Sequence, residues 1–585
     1  MPTEPIILTS FSSKIFVPLV SLQRYLLDNL DKHSDQLVID SQSNISHTFH
    51  DIDCDARRMA TALLAIGLRE GQLFAIIGEN SYQYLILYLG ALIAGAMVFG
   101  IPSTDSYQSI CDKIIQQNIK LLAISATSNL SYAKRISDGI PITQKIILFN
   151  NINGLMDTII GNNDKQQKFI TYGKLIDPYD TIGDDQIAVP PDVKQTECLV
   201  LSTGSSSTTS TTKSLVFTHY SVVSALEITS YPQFFGYTQR EVIAGYCDLS
   251  QQLAIFQVFT AIVCGSRLVL MPRYDRPGFV AAVGKYRISA AILSAAAIVS
   301  LVKSPVNTSN EDNSTNNTNN SSPTTTTTGA TDAKHEDKED ITSLIKIIST
   351  GSCLHKTIAN QLVLRYKHIK DLRQGLFTTQ CMAPVALMIK GTRDYDSSGV
   401  PLPHTRVVIR SVDSGQPLAA NLVGEIWVQR PDAMAKRYLS DKPGLRDLDG
   451  WLGTGDLGYY DDDLLLYVIG KHREMIRSPN NTLIAPSELE RSVLLHCAVD
   501  EAAVVAVDDD DHQSDHPTDG QQQRGVGFVT IRHEFVGKVA EQGILDFVNN
   551  QLPKRKQLAN IYIMKCLPKC ISGKISKSLL IKDLH

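Results

Sequence analysis

The chain has no excess of positive charge, since 55 Lys and Arg residues against 60 Asp and Glu residues give a formal net charge of −5. Proteins that bind nucleic acid through its phosphates carry a basic patch or stripe, so this balance argues against that class. The ten cysteines form no Cys-x-x-Cys pair and no Cys/His cluster with metal-ligand spacing. A zinc site is therefore not expected.

The N-terminus lacks a basic segment followed by a cleavable apolar run. We therefore expect no secretory leader, reduced thiols and a cytoplasmic protein. The last four residues, 582–585, are not a peroxisomal targeting tripeptide, although import by another route stays open.

One apolar run, residues 84–102, is almost long enough to span a bilayer. Its three glycines divide it into pieces of helix and strand length. We expect a buried helix through Leu92 that turns at Gly95 into a buried strand, Ala96 to Ile101. A transmembrane span is the alternative.

The rest of the composition is that of a soluble globular protein, with 43% hydrophobic and 20% charged residues. A length of 585 residues predicts two or more domains. Buried-strand patterns at residues 73–77, 120–124 and 145–149 alternate with amphipathic helices such as 53–66. This alternation predicts a layered α/β architecture with largely parallel sheets.

A domain boundary is expected near Gly470, after a β-rich stretch. We predict a large N-terminal body at 1–470, built of layered α/β subdomains and a β-rich subdomain, and a small mobile α+β lid at 471–585. Polar insertions at about 307–340 and 508–524 interrupt the two parts, and the first is expected to be disordered because its composition cannot bury enough apolar area. The predicted elements around the boundary are strands 424–428, 464–469, 502–507 and 526–531 and helices 486–496 and 542–551.

A hydroxyl-rich loop follows the predicted strand that ends at Ser202 and continues to Lys213. Serine and threonine hydroxyls, together with free backbone N–H groups and a lysine, form a nest for an anion. A flexible Ser/Thr linker is the alternative interpretation of the same residues.

This loop resembles the phosphate loop of the adenylate-forming superfamily, which includes acyl- and aryl-CoA synthetases, 4-coumarate–CoA ligases and beetle luciferases. The family's second glycine and its proline are absent here, Ser214 replaces the glycine after the lysine, and the loop is two residues longer. The resemblance covers nearly the whole chain, from about Val17 to Lys577. It assigns to the nucleotide phosphates Ser202, Thr203, Gly204, Ser205 and Lys213.

Two further segments extend the resemblance. Residues 349–354 match a turn that lies against adenine, and residues 373–380 match a pattern whose tyrosine packs on adenine, whose threonine contacts phosphate and whose glutamate holds magnesium. Gln380 replaces that glutamate and offers Mg²⁺ only a neutral oxygen, which predicts a rate lower by on the order of 10²–10³. The resemblance implies catalytic roles for Thr379 and for Gln251, which stands at the position of a family histidine. It implies a weak metal-ligand role for Gln380. Nucleotide contacts are expected from Gly351, Ser352, Cys353, Gln374, Gly375 and Leu376, the last of which replaces the tyrosine.

The segment 449–459 is close to the family's Gly-Trp-x-x-Thr-Gly-Asp pattern, in which the aspartate binds both ribose hydroxyls. A carboxylate such as Asp456 suits a diol because it accepts two hydrogen bonds at once. Lys471 replaces the arginine of the family hinge, keeping its charge but losing the planar fork, and Gly470 makes the hinge permissive. Lys574 fits the adenylation lysine, which bridges the carboxylate and the ATP phosphate. The alternative for Asp456 is a structural role in a tight turn between strands. The alternative for Lys574 is a solvent-exposed lysine in the tail, without a catalytic role.

The resemblance implies an ATP-dependent acid–thiol ligase that activates a fatty or aromatic acid as an acyl-adenylate and transfers it to coenzyme A. Its expected ligands are ATP, Mg²⁺, coenzyme A and a small carboxylic acid, with no nucleic acid and no transmembrane span. The family's Lys-x-Gly segment, which serves thioester formation, is replaced by residues 478–482. The alternatives are a degenerate member that binds nucleotide, acyl ligand or a partner without turnover, and adenylation coupled to luminescence or an amine acceptor.

Overall fold

The structure is a computed structural model that describes residues 4–10, 15–126, 130–150, 168–202, 214–303, 340–430, 432–439, 447, 449–478, 483–508, 523–568 and 575–582. Both predicted polar insertions fall almost entirely outside these residues. So do most of the hydroxyl-rich loop and Lys574.

An eight-stranded sheet forms the first layer of the body, a name used here for the residues up to Lys471. Six neighbouring strands pair in parallel, because helices cross over between them, and two further strands pair antiparallel at one edge. In spatial order the strands are Arg437–Tyr438, Ser214–Thr218, Glu197–Ser202, Met97–Ile101, Leu73–Ile77, Leu121–Ser125, Lys145–Phe149 and Phe169–Thr171.

A nine-stranded sheet forms the second layer. Six central strands are parallel, and both edges are closed by antiparallel strands. In spatial order they are Val400–Pro401, Ala386–Leu387, Asp371–Leu376, Lys346–Thr350, Ala290–Ser294, Val242–Gly245, Arg267–Leu270, Leu37–Asp40 and Ile45–Thr48.

Helices cover the faces of both sheets, and the largest hydrophobic core lies among them. The body helices are Leu22–Lys32, Phe49–Ala65, Tyr82–Ile93, Tyr107–Gln116, Leu130–Gly139, Tyr172–Ile176, His219–Ser230, Gln252–Cys264, Arg276–Tyr286, Ala295–Lys303 and Lys356–Arg365, with a short 3₁₀ turn at Asp184–Gln186.

The apolar run at 84–102 is a buried helix followed by a buried strand, as predicted. The helix Tyr82–Ile93 begins at Ser81, whose hydroxyl accepts the N–H of Tyr84. Gly95 takes a φ of +78°, a left-handed conformation that glycine adopts without steric cost, and the chain enters the strand Met97–Ile101. Within the described ranges, no helix is both long and apolar enough to cross a membrane.

A five-stranded antiparallel sheet follows, in the order Leu8–Thr9, Arg406–Arg410, Gly424–Gln429, Leu452–Tyr460 and Leu466–Lys471. The strand Gly424–Gln429 alternates between buried and partly exposed positions, as a strand with one face on a core should. This sheet is the predicted β-rich part of the body, and its last strand leads directly to the cleft described below.

The residues after Lys471 have a core and a sheet of their own, and we call residues 476–582 the C-terminal unit. Its three-stranded sheet packs against two helices, while the last helix covers the opposite face. The elements are strands Ile476–Arg477, Leu483–Ile484, Val499–Asp508, Gln523–Ile531 and Leu558–Ile563, helices Pro486–Leu494, Glu541–Asn549 and Lys577–Lys582, and 3₁₀ turns at His533–Phe535 and Lys554–Lys556. A further 3₁₀ turn, His472–Glu474, lies between the body and this unit.

The α/β fold class is confirmed. The predicted strands 73–77 and 145–149 have the bounds that the structure shows, and the predicted helix 53–66 begins four residues earlier, at Phe49. A domain boundary at residue 470 and the mobility of the unit behind it stay predictions.

Candidate active site

A cleft of about 1140 Å³ lies between the body and the C-terminal unit. Most of the predicted site residues that the structure describes line it, although they come from segments up to 220 positions apart in the sequence. They are Gln251, Gly351, Ser352, Cys353, Gln374, Gly375, Leu376, Thr379, Gln380, Asp456 and Lys471.

Asp456 and Lys471 face each other across the last two strands of the five-stranded sheet. The Lys471 ammonium donates to Asp456 Oδ2 at 2.7 Å and to the carbonyl of Thr454 at 3.1 Å. The aspartate side chain is only 10% exposed, so the lysine supplies the charge that a nearly buried carboxylate needs. The pair fixes a carboxylate in the wall of the cleft, where it can accept hydrogen bonds from a ligand diol.

Gln374 holds one wall of the cleft together through its side chain. Its Oε1 accepts the N–H of Leu354 at 2.9 Å, and its Nε2 donates to the carbonyls of Tyr395 and Ser397 at 2.6 and 2.9 Å. The amide therefore ties the turn after strand Lys346–Thr350 to a loop about forty residues later. Gln374 shapes the proposed adenine surface while its polar atoms are already bonded within the protein.

Thr379 and Gln380 sit at the carboxyl end of strand Asp371–Leu376, with the Thr379 hydroxyl 3.2 Å from Gln380 Oε1. The backbone there is anchored by the N–H of Ala435, which donates to the Gln380 carbonyl at 2.8 Å. Leu376, in contrast, is 6% exposed and packs into the core of the β-rich part. It offers an aliphatic edge in place of an aromatic face.

The donor groups that the structure describes do not fit a Mg²⁺ ion held by the protein. Gln380 supplies one neutral oxygen, and no group of three His, Cys, Asp or Glu side chains within the described ranges could hold a metal. Mg²⁺ prefers carboxylates, phosphate oxygens and water. An ion that enters as part of the ATP complex is therefore substrate, held by the phosphates.

One end of the cleft, lined by body residues within 246–253, 294–299 and 377–378, has no charged side chain among the lining residues of those described segments and contains two unsatisfied polar groups. Gln251 and Thr378 are 8% and 5% exposed, and Gln251 Nε2 and Thr378 Oγ1 have no hydrogen-bond partner among the described residues. They lie on connected segments, because Gln252 donates its side-chain amide to the carbonyl of Cys381, whose N–H donates to the Thr378 carbonyl at 3.1 Å. Buried polar groups are normally bonded, so both point to a ligand.

The remaining walls of this end are small, apolar or aromatic. Burial raises the pKa of the Cys247 thiol to about 12, so this thiol stays protonated at neutral pH and is no nucleophile. The body side chains that complete the wall are Tyr246, Leu253, Ser294, Ala295, Ala296, Val299 and Phe377.

Ser202 marks the start of the hydroxyl-rich loop and lies beside this end of the cleft. It is bridged to Gln251, its N–H donates to the Ser250 carbonyl at 3.3 Å, and its hydroxyl donates to the Gly100 carbonyl at 3.1 Å. The predicted phosphate ligands that follow it lie outside the described residues, as does the predicted catalytic lysine. They are Thr203, Gly204, Ser205, Lys213 and Lys574.

The tail of the C-terminal unit faces the cleft. Ile575 and Lys577 line it, and the Lys577 ammonium lies 2.6 Å from Glu490 Oε1 and 3.8 Å from Glu474 Oε2. Lys577 thus holds the tail to the helix Pro486–Leu494 and to the turn His472–Glu474.

Comparison with protein families matches residues 26–439 to the family described as AMP-binding enzyme. The match spans well over half of the chain. The chain belongs to the AMP-binding enzyme family. Its architecture matches the mixed α/β fold of the adenylate-forming ligases.

Relatives in this family cover the chain almost from end to end. It is 25% identical over 557 residues to 4-coumarate–CoA ligase-like 2 of Arabidopsis thaliana, covering 93% of this chain and 87% of that protein. It is 24% identical to 4-coumarate–CoA ligase 2 of Petroselinum crispum, covering 100% and 97%. These relatives do not favour the alternative of a ligand-binding protein without turnover.

Among solved structures, the anthranilate CoA ligase in complex with anthranoyl-AMP superimposes with a TM-score of 0.78. The match covers 97% of this chain and 98% of that one, at 16% sequence identity. At this identity the likeness establishes the fold of the AMP-binding enzyme, and the site rests on the contacts described above.

Sequence reasoning missed several residues that build the site. Glu425 lines the cleft, where its carboxylate accepts the N–H of Gly455 at 3.1 Å and the indole N–H of Trp427 at 3.0 Å. Its position on the strand Gly424–Gln429 was a usable signal, since Glu425 falls on the more exposed side of that strand. Gln252 carries no comparable signal, because its partner, the carbonyl of Cys381, is distant in sequence.

Proposed function

We propose that the protein is an ATP-dependent acid–thiol ligase. A carboxylate oxygen of the acid attacks the α-phosphorus of ATP, the bond from that phosphorus to the bridging oxygen breaks, and pyrophosphate leaves with the electron pair. The thiol of coenzyme A then attacks the acyl carbon, AMP leaves, and the thiol proton passes to solvent. The observation that carries the proposal is one cleft that joins the Asp456–Lys471 pair, the Gln374-supported turn and an uncharged end with unsatisfied donors.

In this proposal the nucleotide occupies the side of the cleft next to the five-stranded sheet. Asp456 accepts the ribose hydroxyls while Lys471 holds the carboxylate in place. The adenine lies between Leu376 and the turn that contains Gly351. The hydroxyl of Thr379 then faces the phosphates, and its contact with Gln380 directs that side chain toward the same region.

The acid is proposed to occupy the uncharged end with its carboxylate toward the loop that begins at Ser202. Across residues 246–299, where the structure is described throughout, no charged side chain lines the cleft, and the next charged lining group along the chain, Lys303, is held by the carbonyls of Val499 and Asp500. A second carboxylate or an ammonium on the acid would be buried there without a partner, at a cost of several kcal/mol. We therefore infer a neutral fatty or aromatic acid.

Gln251 and Thr378 refine this inference. A side-chain Nε2 is purely a donor, so an acid that carries a hydroxyl, ether or carbonyl oxygen would satisfy Gln251, whereas a hydrocarbon chain would leave the amide unpaired. Leaving a buried donor unpaired costs about 1–3 kcal/mol. We expect oxygenated acids to be selected over their unsubstituted analogues.

Lys574 is proposed to bring a positive charge to the carboxylate and the α-phosphate during attack. Preorganised charge of this kind is a large contributor to phosphoryl and acyl transfer. Lys577, three residues further along the chain, is bound to Glu490 and Glu474 and lines the cleft.

The first experiment is acid-dependent exchange of labelled pyrophosphate into ATP, with Mg²⁺ and short, long and aromatic acids, each with and without a ring or chain oxygen. Exchange is expected for at least one acid and should disappear in Lys574→Ala. The matched control is Lys565→Ala, an exposed lysine of the same unit, which should exchange as the wild type does. No exchange with any acid would refute adenylation.

Thioester formation is tested separately, because residues 478–482 differ from the family's Lys-x-Gly segment. With the acid selected by exchange, coenzyme A should be consumed in proportion to AMP release. AMP release that hydroxylamine supports and coenzyme A does not would retain adenylation and replace the acceptor.

A further inference from the structure

Lys303 connects the body directly to the C-terminal unit. It is the last residue of the helix Ala295–Lys303, and its ammonium donates to the carbonyls of Val499 and Asp500, each at 2.9 Å. Those two carbonyls belong to the beginning of the strand Val499–Asp508. One body side chain thus holds two consecutive peptide groups of the other unit.

The charges around Lys303 come from both units. Asp500 and Glu501 attract the ammonium and Arg532 repels it. On the body side, Arg365 donates to the carbonyl of Val302 and so fixes the end of the helix that carries Lys303. The contact is therefore built on a rigid helix end, and its partners are backbone groups whose positions the strand determines.

A second contact between the units lies nearby. The Arg491 guanidinium bonds the His355 ring, which lies 3.9 Å from Asp396. Burial lowers the pKa of His355, and Arg491 lowers it further. The close approach of the Arg491 guanidinium to His355 Nε2 brings the same two surfaces together.

We propose that Lys303 is a positioning residue for adenylation, holding the C-terminal unit in the orientation that turns its tail, with Ile575 and Lys577, into the cleft. The proposal rests on the proposed function. If the unit rotates about Gly470 for thioester formation, both hydrogen bonds of Lys303 must break first. Gly470 has a φ of +153°, a conformation that glycine adopts more easily than other residues. The backbone there therefore offers little resistance to rotation, and the contacts between the two units determine the orientation of the C-terminal unit.

The contact depends on pH in a direction that can be worked out. Burial, with Arg532 next, lowers the pKa of Lys303 from 10.5 to about 8. In a rotated unit the amine is in water and regains its ordinary pKa, so forming the contact releases a proton between pH 8 and 10.5. Rising pH across that window therefore favours the contact. The neutral amine still has two N–H groups for the two carbonyls.

The first measurement does not need activity. Competitive acetylation of the intact protein, followed by mass spectrometry of the peptide that contains Lys303, gives the pKa and reactivity of this amine. A pKa near 8 and slow labelling are expected for Lys303, while the exposed Lys367 should label faster. Ordinary titration and fast labelling of Lys303 would overturn the proposal.

The second measurement separates the two half-reactions. Lys303→Met should lower pyrophosphate exchange about tenfold, the effect of losing one charged contact, and should change conversion of supplied acyl-adenylate and coenzyme A less than about twofold. Lys303→Arg should recover most of the exchange, because a guanidinium can donate to both carbonyls. Lys367→Met is the matched control and should behave as wild type.

The outcomes are distinguishable from those of the proposed function. Equal losses in both half-reactions, or no loss in either, would overturn the positioning role of Lys303 even if the enzyme adenylates acids. If the wild-type protein exchanges no pyrophosphate, the proposed function fails, and the acetylation result alone decides whether Lys303 is held between the units.

Discussion

Replacing Asp456 with asparagine tests the centre of the proposed nucleotide site. The carboxylate is 10% exposed and bonded to Lys471 at 2.7 Å. Asparagine keeps the shape and one acceptor oxygen, but it loses the charge and replaces the second acceptor with a donor. The Lys471 ammonium retains the carbonyl of Thr454 as a partner at 3.1 Å, so the substitution should leave the strand pairing intact.

The magnitude follows from the two hydrogen bonds that a ribose diol can donate. Hydrogen bonds to charged groups contribute about 1.5–3 kcal/mol each, and asparagine should retain part of one. We expect a loss of about 2–3 kcal/mol in binding free energy, or roughly 30- to 150-fold weaker binding of AMP. The unfolding free energy should change much less, because the lysine of this pair is 31% exposed at the cleft surface and an ion pair that reaches solvent stabilises a fold by about 1 kcal/mol or less.

Calorimetric titration with AMP and with its 2′,3′-dideoxy analogue provides the assay. The wild type should prefer AMP, and Asp456→Asn should bind the two ligands almost equally, since the analogue has no diol to lose. Asp413→Asn, an exposed aspartate of the same part of the chain, is the control and should retain the preference. If Asp456→Asn weakens both ligands by the same factor, the carboxylate does not bind the ribose.

Three further predictions follow from single side chains. Gln380→Glu should raise the pyrophosphate-exchange rate by roughly 10- to 100-fold, because it places a charge beside Thr379 that favours MgATP. Gln374→Leu should lower the unfolding free energy in urea by about 2–4 kcal/mol, because it leaves three buried backbone groups unpaired. Burial lowers the pKa of His219 from 6.5 to about 4. Protonation therefore favours the unfolded chain, and the fold loses up to about 3 kcal/mol of stability as the pH falls from 6.5 to 4. His219→Asn should show a flatter dependence of urea stability on pH.

Matched variants control these predictions. Gln416 is exposed, and Gln416→Glu should leave the pyrophosphate-exchange rate unchanged. If Gln416→Glu raises that rate as much as Gln380→Glu does, the effect at Gln380 is a general effect of added charge. Gln361→Leu, on the exposed side of a helix, should cost little stability, and a loss equal to that of Gln374→Leu would contradict the network. His50→Asn should keep the acid dependence of the wild type.

Much of the fold could be predicted because its elements are specified locally. The strand 145–149 is a short run of apolar residues, and that run alone predicts a buried strand. The pairing of strands was not predictable in the same way. Leu37–Asp40 lies beside Arg267–Leu270 in one sheet, and nothing within either segment records a partner 230 residues away.

The site shows the same division. Asp456 and Lys471 could be found from short patterns, and the structure places them in one hydrogen bond. Gln252 and Lys303 could not, since an isolated glutamine or lysine at a helix end is ordinary. Their roles arise from carbonyls on segments more than a hundred residues away, which only the folded chain brings within reach.

The substitutions at Gln380 and Lys471 act on the site together. A neutral glutamine removes a negative charge from the phosphate side, and a lysine keeps a positive charge beside Asp456. The described wall of the cleft is therefore more favourable to the ATP anion itself than a wall with a glutamate, and less favourable to a bound cation. Binding of ATP should then depend less on Mg²⁺, while the transfer step, in which phosphate charge is redistributed, should depend on it more. The lower rate expected for this chain is consequently a property of the transfer step, where Gln380→Glu has its effect.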